Sequence, residues 1–583
     1  MKRPDLLTAA AGLVALVVLG SLVHFAVVDG LGFEADGQGA RLARLWAYSV
    51  TGRGDFLLRW GEPYWDQPPI LPASSVTPYP PLPALLAAPL LALLGPGVTA
   101  QRLLGCLPAA LLLLGVADAG RAVAGRRGAV LALSLVGGSA VATTVLRQPN
   151  GEVWVTAASA FAAAALARLG TRTSSSLAAG VAVAVALLCK WTAVVLLLPA
   201  SLALCGVAIA EVRRGARGVG TLIAATSVAT LAAALFGLAM VGSAPRWLAA
   251  GLPPVLAAVG LVRARPLGTN LPVEVGRALL VAVALATPWY GYAAPAIAEH
   301  LVGHEVLMVG ASSGIVRAYA NLIVAVGIPV AGLFIGFGIL GLAWPGRLPG
   351  AVAMATAFLA LGGTLASGRV DGFLMGQAQD RLLLPVIAAL AIAAARGAVV
   401  PRVGPVLTLA AAALALGTVA VSHAGAAARP VRSAGLGMAC GEQIDLGSRG
   451  YRWWLPGVAV ASPPDPGRGD PELEALAARL PSRAEPILAG LLLDDEPCSM
   501  TESRLVRLAE TGRVLSLAPR GDTARHRAWI ESRVERLDEF VGVGVRAASS
   551  VRSAGLSAGW ALTVDDADLV VIARPRAGPA GND

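Results

Sequence analysis

Two acids, Glu34 and Asp36, stand in the stretch GFEADGQGARLARLWAYSV, residues 32 to 50, directly after an apolar run that Asp29 and Gly30 close. A carboxylate in such a place can take the proton of an incoming hydroxyl as it attacks, and general-base help of this kind is worth about 10²- to 10⁴-fold in rate. Three cations could serve a phosphate: Lys190, one of only two lysines in the chain, Arg381 at the start of DRLLLP, and Arg317. A guanidinium can clamp a phosphate through two hydrogen bonds, and an ammonium meets it as a point charge. Tyr79 in TPYPPL, Glu152 in RQPNGE, and Trp289 and Tyr290 in TPWY could line a pocket. Each has a plainer reading beside this one. Asp36 suits the N-cap of the helix that follows, Glu34 suits a solvated boundary acid, Lys190 and Arg317 suit snorkelling cations, and Tyr290 suits an aromatic anchor at a membrane boundary.

The elements that must position these residues follow from composition. Hydrophobic residues make up 56% of the 583 and charged ones 14%, and the mean hydropathy is +0.69. A single water-soluble core does not look like this; a polytopic α-helical membrane protein does. The formal charge of +10 comes almost wholly from arginines between apolar runs, which marks topology rather than a nucleic-acid footprint. The first run, residues 6 to 28, has the positive start of a signal peptide but no small-residue cleavage site after it, so it reads as a retained helix.

Further spans are predicted at 99 to 118, 128 to 146, 152 to 168, 175 to 189, 191 to 211, 218 to 242, 246 to 262, 275 to 294, 319 to 342, 350 to 367, 382 to 396 and 403 to 422, about thirteen in all. The proline-headed run from 80 to 95 is predicted to lie along the membrane surface. With that choice Arg3, the Arg121, Arg126 and Arg127 group, Arg168 and Arg172, Arg213, Arg214 and Arg217, Arg263 and Arg265, Arg347, and Arg396 and Arg402 fall on one side. The N-terminus is then cytoplasmic. The outer face receives the first loop, residues 29 to 98, the loops 296 to 318 and 368 to 381, and the C-terminal part. Lys190 marks a tight turn between two spans, since a lysine at the bilayer centre costs about 2.5 to 3.5 kcal/mol.

The chain divides into a transmembrane domain, 1 to 425, and an outer domain, 430 to 583. In the latter, helix-like PELEALAARL and TESRLVRLAE alternate with strand-like PILAGLLLD, RVLSLAPR and ADLVVIARP, which predicts a small α/β domain without a Gly-rich phosphate loop. Cys440 and Cys498 lie in this part and either pair, as an oxidising compartment permits, or are unrelated. No Cys or His spacing suits zinc. His300, His304 and Glu305 in AEHLVGHE have the wrong order for a zinc-binding HExxH helix and read as a polar outer-loop helix.

The order of these pieces resembles the GT-C glycosyltransferases, in particular the polyprenyl-phosphate-sugar-dependent branch that includes the protein O-mannosyltransferases and the lipid A aminoarabinose transferases. Asp36 looks like the branch's first-loop acid, QGARLARLWAYSVTGRGDF like its loop helix ending at Gly54-Asp55, and Tyr79-Pro80-Pro81-Leu82 like its surface helix. LLCKW at 187 to 191 looks like its lysine turn, TPWY at 287 to 290 like its Pro-Trp-Tyr, and DRLLLP at 380 to 385 like its Arg-x-x-Leu-Pro segment. The chain reads Asp36-Gly37 where members usually read Asp-Glu, and Asn150 or Glu152 stands nearest to their second acid. The resemblance implies an inverting transfer of a sugar from a polyprenyl-phosphate donor to an acceptor on the outer face of the cytoplasmic membrane. It implies Asp36 as base with Glu34 as its rival, Lys190, Arg381 and Arg317 toward the donor phosphate, and Tyr79, Glu152, Trp289 and Tyr290 around the substrate. No cofactor and no divalent metal are expected. The expected partners are a polyprenyl-phosphate-linked sugar, membrane lipids and a glycan, lipid or protein acceptor, with no nucleic acid. A catalytically inert GT-C-like scaffold remains the alternative, and a transporter is a second, though such a chain should show inverted repeats with broken helices.

Overall fold

A computed structural model describes residues 6–28, 38–53, 80–139, 146, 151–170, 175–190, 193–213, 218–264, 270–308, 330, 332–333, 384–428, 471–494, 508–517, 522–535 and 537–575. Its helices are α1 (Leu6–Val28), α2 (Gln38–Thr51), α3 (Leu82–Leu94), α4 (Val98–Gly137), α5 (Gly151–Ala167), α6 (Ser176–Cys189), α7 (Ala193–Arg213), α8 (Val219–Met240), α9 (Arg246–Arg263), α10 (Leu271–Met308), α11 (Leu384–Ala394, followed by a 3₁₀ turn Ala395–Val399) and α12 (Val403–Ala428). By length and composition, four of the described helical segments can cross a membrane: Thr99–Gly137, Val219–Met240, Leu271–Ala298 and Val403–Ala420. The spans expected at 319 to 342 and 350 to 367 lie outside the described residues, apart from positions 330, 332 and 333.

Helix α4 contains the second expected span, 99 to 118, and the start of the third, 128 to 146. It folds back at Ala124 (φ −142°) and Gly125 (φ 67°), where only a glycine takes the left-handed turn without strain. The two arms touch so closely at Gly120 and Gly128 that a Cβ on either would run into the other's carbonyl oxygen. Arg121, Arg126 and Arg127 therefore crowd the bend of a hairpin. Nearby, Arg168 at the end of α5 donates from Nη1 to Asp118 Oδ2 at 2.8 Å. The backbone N–H of Gly170 donates to Glu274 Oε2 at 2.7 Å, Gly170 packs against Leu271, and Gly218 packs against Val273. The hairpin bend, the turn after α5 and the turn before α8 thus gather at one end of the helix bundle. The main apolar core joins α1, α4, α5, α11 and α12 through residues such as Val14, Leu112, Leu131, Val153, Ile387 and Ala415.

Helix α10 is longer than the span expected at 275 to 294. It passes Pro288 and Pro295 without ending, because close packing on α8 and α9 replaces the support that a missing backbone N–H removes. Helix α2 is shorter than expected. Gly52 takes φ +67° and donates its N–H to Tyr48 O at 2.7 Å, a left-handed stop, so the helix ends at Thr51 and does not reach Gly54-Asp55, which lie outside the described residues.

The C-terminal part folds as α13 (Pro471–Arg479), β1 (Ile487–Leu493), β2 (Arg513–Leu517), α14 (Thr523–Glu531), β3 (Glu539–Val543), α15 (Val545–Ala558), β4 (Ala561–Asp565) and β5 (Leu569–Ala573). The sheet runs β2-β1-β3-β5-β4. Strands β2, β1 and β3 are parallel, and β5 pairs antiparallel with both β3 and β4. β1, β2 and β5 are the strands expected from the sequence; β3 and β4 are additional. Of TESRLVRLAE, only residues 508 to 510 are described. Beneath β2, the fully buried Arg513 and the half-buried Arg483 share the carboxylate of the fully buried Glu539, with Arg483 Nε at 3.0 Å. Arg513 Nη1 also donates to Pro481 O at 2.7 Å. A buried carboxylate is tolerated here because it is paired and hydrogen-bonded on both sides.

Candidate functional site

The sequence-derived site residues divide into two groups. Glu34, Asp36, Tyr79, Arg317 and Arg381 lie outside the described residues. Glu152, Lys190, Trp289 and Tyr290 come together at the end of the bundle opposite the arginine turns. Helix α5 starts there at Gly151, and α6 finishes there at Cys189. Along α10, Tyr290 lies ~28 Å from Leu271 at 1.5 Å per residue, close to one hydrocarbon thickness.

Glu152 is 2% exposed in its side chain and Lys190 15%, and the Lys190 ammonium donates to Glu152 Oε1. The pair forms because α5 presents Glu152 in its first turn and the chain leaves helix α6 in extended conformation at Lys190. An extended residue at a helix end throws its side chain sideways, here over the start of α5. The lysine expected to meet a phosphate therefore already has a carboxylate partner, and Glu152, assigned from the sequence to the substrate pocket, is that partner. An ion pair with one member nearly dry is electrostatically strong and leaves no net charge, so a phosphate would compete with Glu152 for the ammonium.

Tyr290, read from the sequence as a pocket residue or a boundary anchor, is tied to α6. Its hydroxyl donates to Leu187 O at 2.9 Å, three residues before Lys190. The ring meets Trp289 edge-on at 4.9 Å and Phe236 edge-on at 5.8 Å. Tyr290 thereby ties α10 to the last turn of α6 and fixes the point from which Lys190 departs. Trp289 is half-buried beside it. No sequence signal marks the Leu187 carbonyl, because a backbone acceptor has no residue type.

The second part of the site is α2, which begins two residues after Asp36. Its pattern is amphipathic twice over. Leu45 packs with Ala87, Leu91 and Leu104 of α3 and α4, while Ala47, fully buried, joins Trp529, Phe540 and Trp560 of the C-terminal domain. Phe540 meets Trp529 edge-on at 5.9 Å and lies tilted on Trp560 at 5.2 Å. Just past the helix, Arg53 Nη2 donates to Asp538 Oδ2 at 3.2 Å. The first-loop helix is thus held between the membrane helices and the C-terminal sheet. Arg53, Ala47 and Asp538 were not selected from the sequence; the small Ala47 between Trp46 and Tyr48 was the one available hint of a close contact. Among the described residues, no cluster of three His, Cys, Asp or Glu side chains is placed to hold a metal ion.

The comparisons with known proteins bear on this architecture. The lipid A aminoarabinose transferase ArnT from Cupriavidus metallidurans, bound to undecaprenyl phosphate, matches at TM-score 0.50 and 16% identity, over 97% of this chain and 99% of that one. The chain has the GT-C fold. The apo state of the same ArnT matches at TM-score 0.48, 16% identity and 97% and 98% of the two chains. The apo oligosaccharyltransferase of Archaeoglobus fulgidus, also a GT-C protein, matches at 0.45, 12% identity and 93% and 70%. No protein-family model matches the chain, and no curated protein matches it by sequence. Of the pieces that the sequence had put in order, the first-loop helix from Gln38, the Lys190 turn and TPWY lie among the described residues.

Proposed function

We propose that the protein is an inverting glycosyltransferase that moves a sugar from a polyprenyl-phosphate donor to an acceptor hydroxyl on the outer face of the cytoplasmic membrane. The observation that carries this reading is the clamping of α2 between the membrane helices and the C-terminal sheet, because it is the helix that follows Asp36 in the sequence. Asp36 takes the proton of the acceptor hydroxyl as its oxygen bonds to the anomeric carbon. The bond from that carbon to the phosphate oxygen breaks, and the polyprenyl phosphate leaves with the electron pair. The leaving group needs charge neutralisation and no proton; Arg381 and Lys190 supply it, Lys190 by turning part of its charge from Glu152 to the phosphate. The lipid tail holds the donor phosphate at the bilayer boundary, so the base has to stand where the first helix leaves the membrane. Arg317 and Glu34 contribute charge near the boundary, and Tyr79 and Trp289 line the substrate path.

The test is discharge of a radiolabelled polyprenyl-phosphate sugar by purified protein, across several sugars. Wild type should transfer label from at least one donor, and Asp36→Asn, which keeps shape and capping ability, should lower turnover by about 10²-fold or more while donor binding stays. Glu34→Gln should do less. Normal turnover in both variants sinks the base assignment, and no discharge from any donor that binds leaves an inert scaffold.

A further inference from the structure

Between the end of α2 and the C-terminal domain lies a cleft of about 640 Å³. Trp46, Thr51 and Arg53 form one wall; Arg483, Glu485 and Glu510 stand on the other. The volume falls within the usual range of small-ligand sites, about 300 to 1,000 Å³. Neither member of the Glu152–Lys190 pair lines the cleft.

Its chemistry excludes several ligands. Arg53 faces Asp538, and Arg483 shares Glu539 with Arg513, so three guanidinia meet two carboxylates there. Glu485 and Glu510 add two more acids. Among the described residues here, Arg53, Arg483 and Arg513 against Asp538, Glu539, Glu485 and Glu510 leave no positive excess for a phosphate or other anion. An apolar ligand would strip water from the carboxylates without replacing their hydrogen bonds. A neutral polyhydroxyl ligand meets neither objection. Its hydroxyls donate to carboxylates and accept from guanidinium N–H groups, and the apolar face of a ring lies flat on an indole such as Trp46.

The position adds a length. At 1.5 Å per residue, Gln38, two residues after Asp36, is ~12 Å from Trp46 and ~20 Å from Thr51 along α2. A chain of sugar rings that spans this distance has several members. We propose that the cleft binds a neutral oligosaccharide segment of the acceptor, several rings back from the hydroxyl that receives the new sugar. The inference rests on the glycosyl-transfer reading above and makes the acceptor a glycan.

The test uses the full-length protein in detergent on an array of neutral manno-, gluco-, galacto- and arabino-oligosaccharides of two to six rings, with sialylated glycans and peptides beside them. Val50→Trp, at a half-open position on the cleft wall, fills the space, and Glu485→Ala removes an exposed acceptor. Wild type should retain one or more neutral oligosaccharides of at least three rings, and both variants should lose that retention tenfold or more while binding undecaprenyl phosphate as wild type does. Retention of no neutral oligosaccharide by protein that binds undecaprenyl phosphate overturns the proposal, as does equal retention by both variants or a preference for acidic glycans or peptides. Neutral glycan retention that depends on the cleft, in a protein that discharges no donor, would refute the transferase reading and leave the cleft assignment standing.

Discussion

Arg53 and Asp538, 485 positions apart, meet at 3.2 Å, and the same Asp538 carboxylate accepts the backbone N–H of Leu488 on β1 at 2.8 Å. One side chain therefore links the end of the first-loop helix to the central part of the C-terminal sheet. Both partners are about one third exposed, so the pair itself contributes little to stability, of order 0 to 1 kcal/mol. Its effect is on position.

Arg53→Gln should accordingly separate rate from stability. The melting temperature should move by no more than a few degrees, as expected for a pair worth less than about 1 kcal/mol. Turnover should fall by up to ~10²-fold, because an ångström of misplacement of a reacting group can cost that much. Donor affinity should stay. Turnover and melting temperature measured on the same preparation decide it: a normal rate shows that α2 is held well enough by Ala47 and Leu45 alone.

The Glu152–Lys190 pair gives an energetic prediction. Removing one member strands the other in a nearly dry place, which costs about 3 to 5 kcal/mol for a buried pair. Removing both should cost less than the sum. In a double-mutant cycle with Glu152→Gln and Lys190→Gln, the coupling should reach about 0.5 to 3 kcal/mol, read from thermal unfolding in detergent. If Lys190 also serves the donor phosphate, Glu152→Gln should tighten undecaprenyl phosphate binding, since it frees the ammonium, while Lys190→Gln should weaken it. Additive stability effects together with unchanged donor affinity in both variants would make the two residues independent.

The bundle, the hairpin bend and three of the five strands were legible in the sequence because long apolar runs and clustered arginines are dictated by the solvent, and solvent acts on every residue in the same way. Helix ends were less legible. Gly52 stopped α2 early, and Pro288 and Pro295 did not stop α10, because each outcome depends on neighbours that sequence spacing does not name. Strand β4 was missed because ALTVD at 561 to 565 is largely exposed and short, so it shows neither a buried run nor a clean alternation. At the site, Glu152 and Lys190 were found as separate charges from residue type. Their pairing was not, since it joins the start of one helix to the end of another.

Topology can be checked directly. Cysteines introduced at Ser74 in the first loop and at Ser482 before β1 should both react with an impermeant maleimide in intact cells. The contact of α2 with the C-terminal domain makes the two results dependent on each other: a helix packed on that domain through Ala47 cannot lie across a bilayer from it. Labelling of one site without the other would break the arrangement in which the first loop and the C-terminal domain share a side.

His526 gives the C-terminal domain a pH dependence with a definite sign. Burial pushes its imidazole below the ordinary value; Asp494 and Asp522 pull the other way, and Arg546 reinforces the lowering. The side chain is 2% exposed, and its Nδ1 has no hydrogen-bond partner among the described residues, so a proton added there gains little. The unfolded chain, with an ordinary histidine pKa near 6.5, takes up the proton first as pH falls. More protons on the unfolded state mean stability that declines with falling pH. The contribution is therefore complete above about pH 7 and is lost from about pH 6.5 downward through the folded value. Unfolding of the full-length protein followed through tryptophan fluorescence, with Trp529 and Trp560 in that core, should show this decline between pH 7 and pH 5. His526→Gln, which cannot take up the proton, should flatten the curve in that window. An equally steep decline in the variant would assign the dependence to the carboxylates around it, and stability that rises toward pH 5 in the wild type would reverse the sign argued for His526.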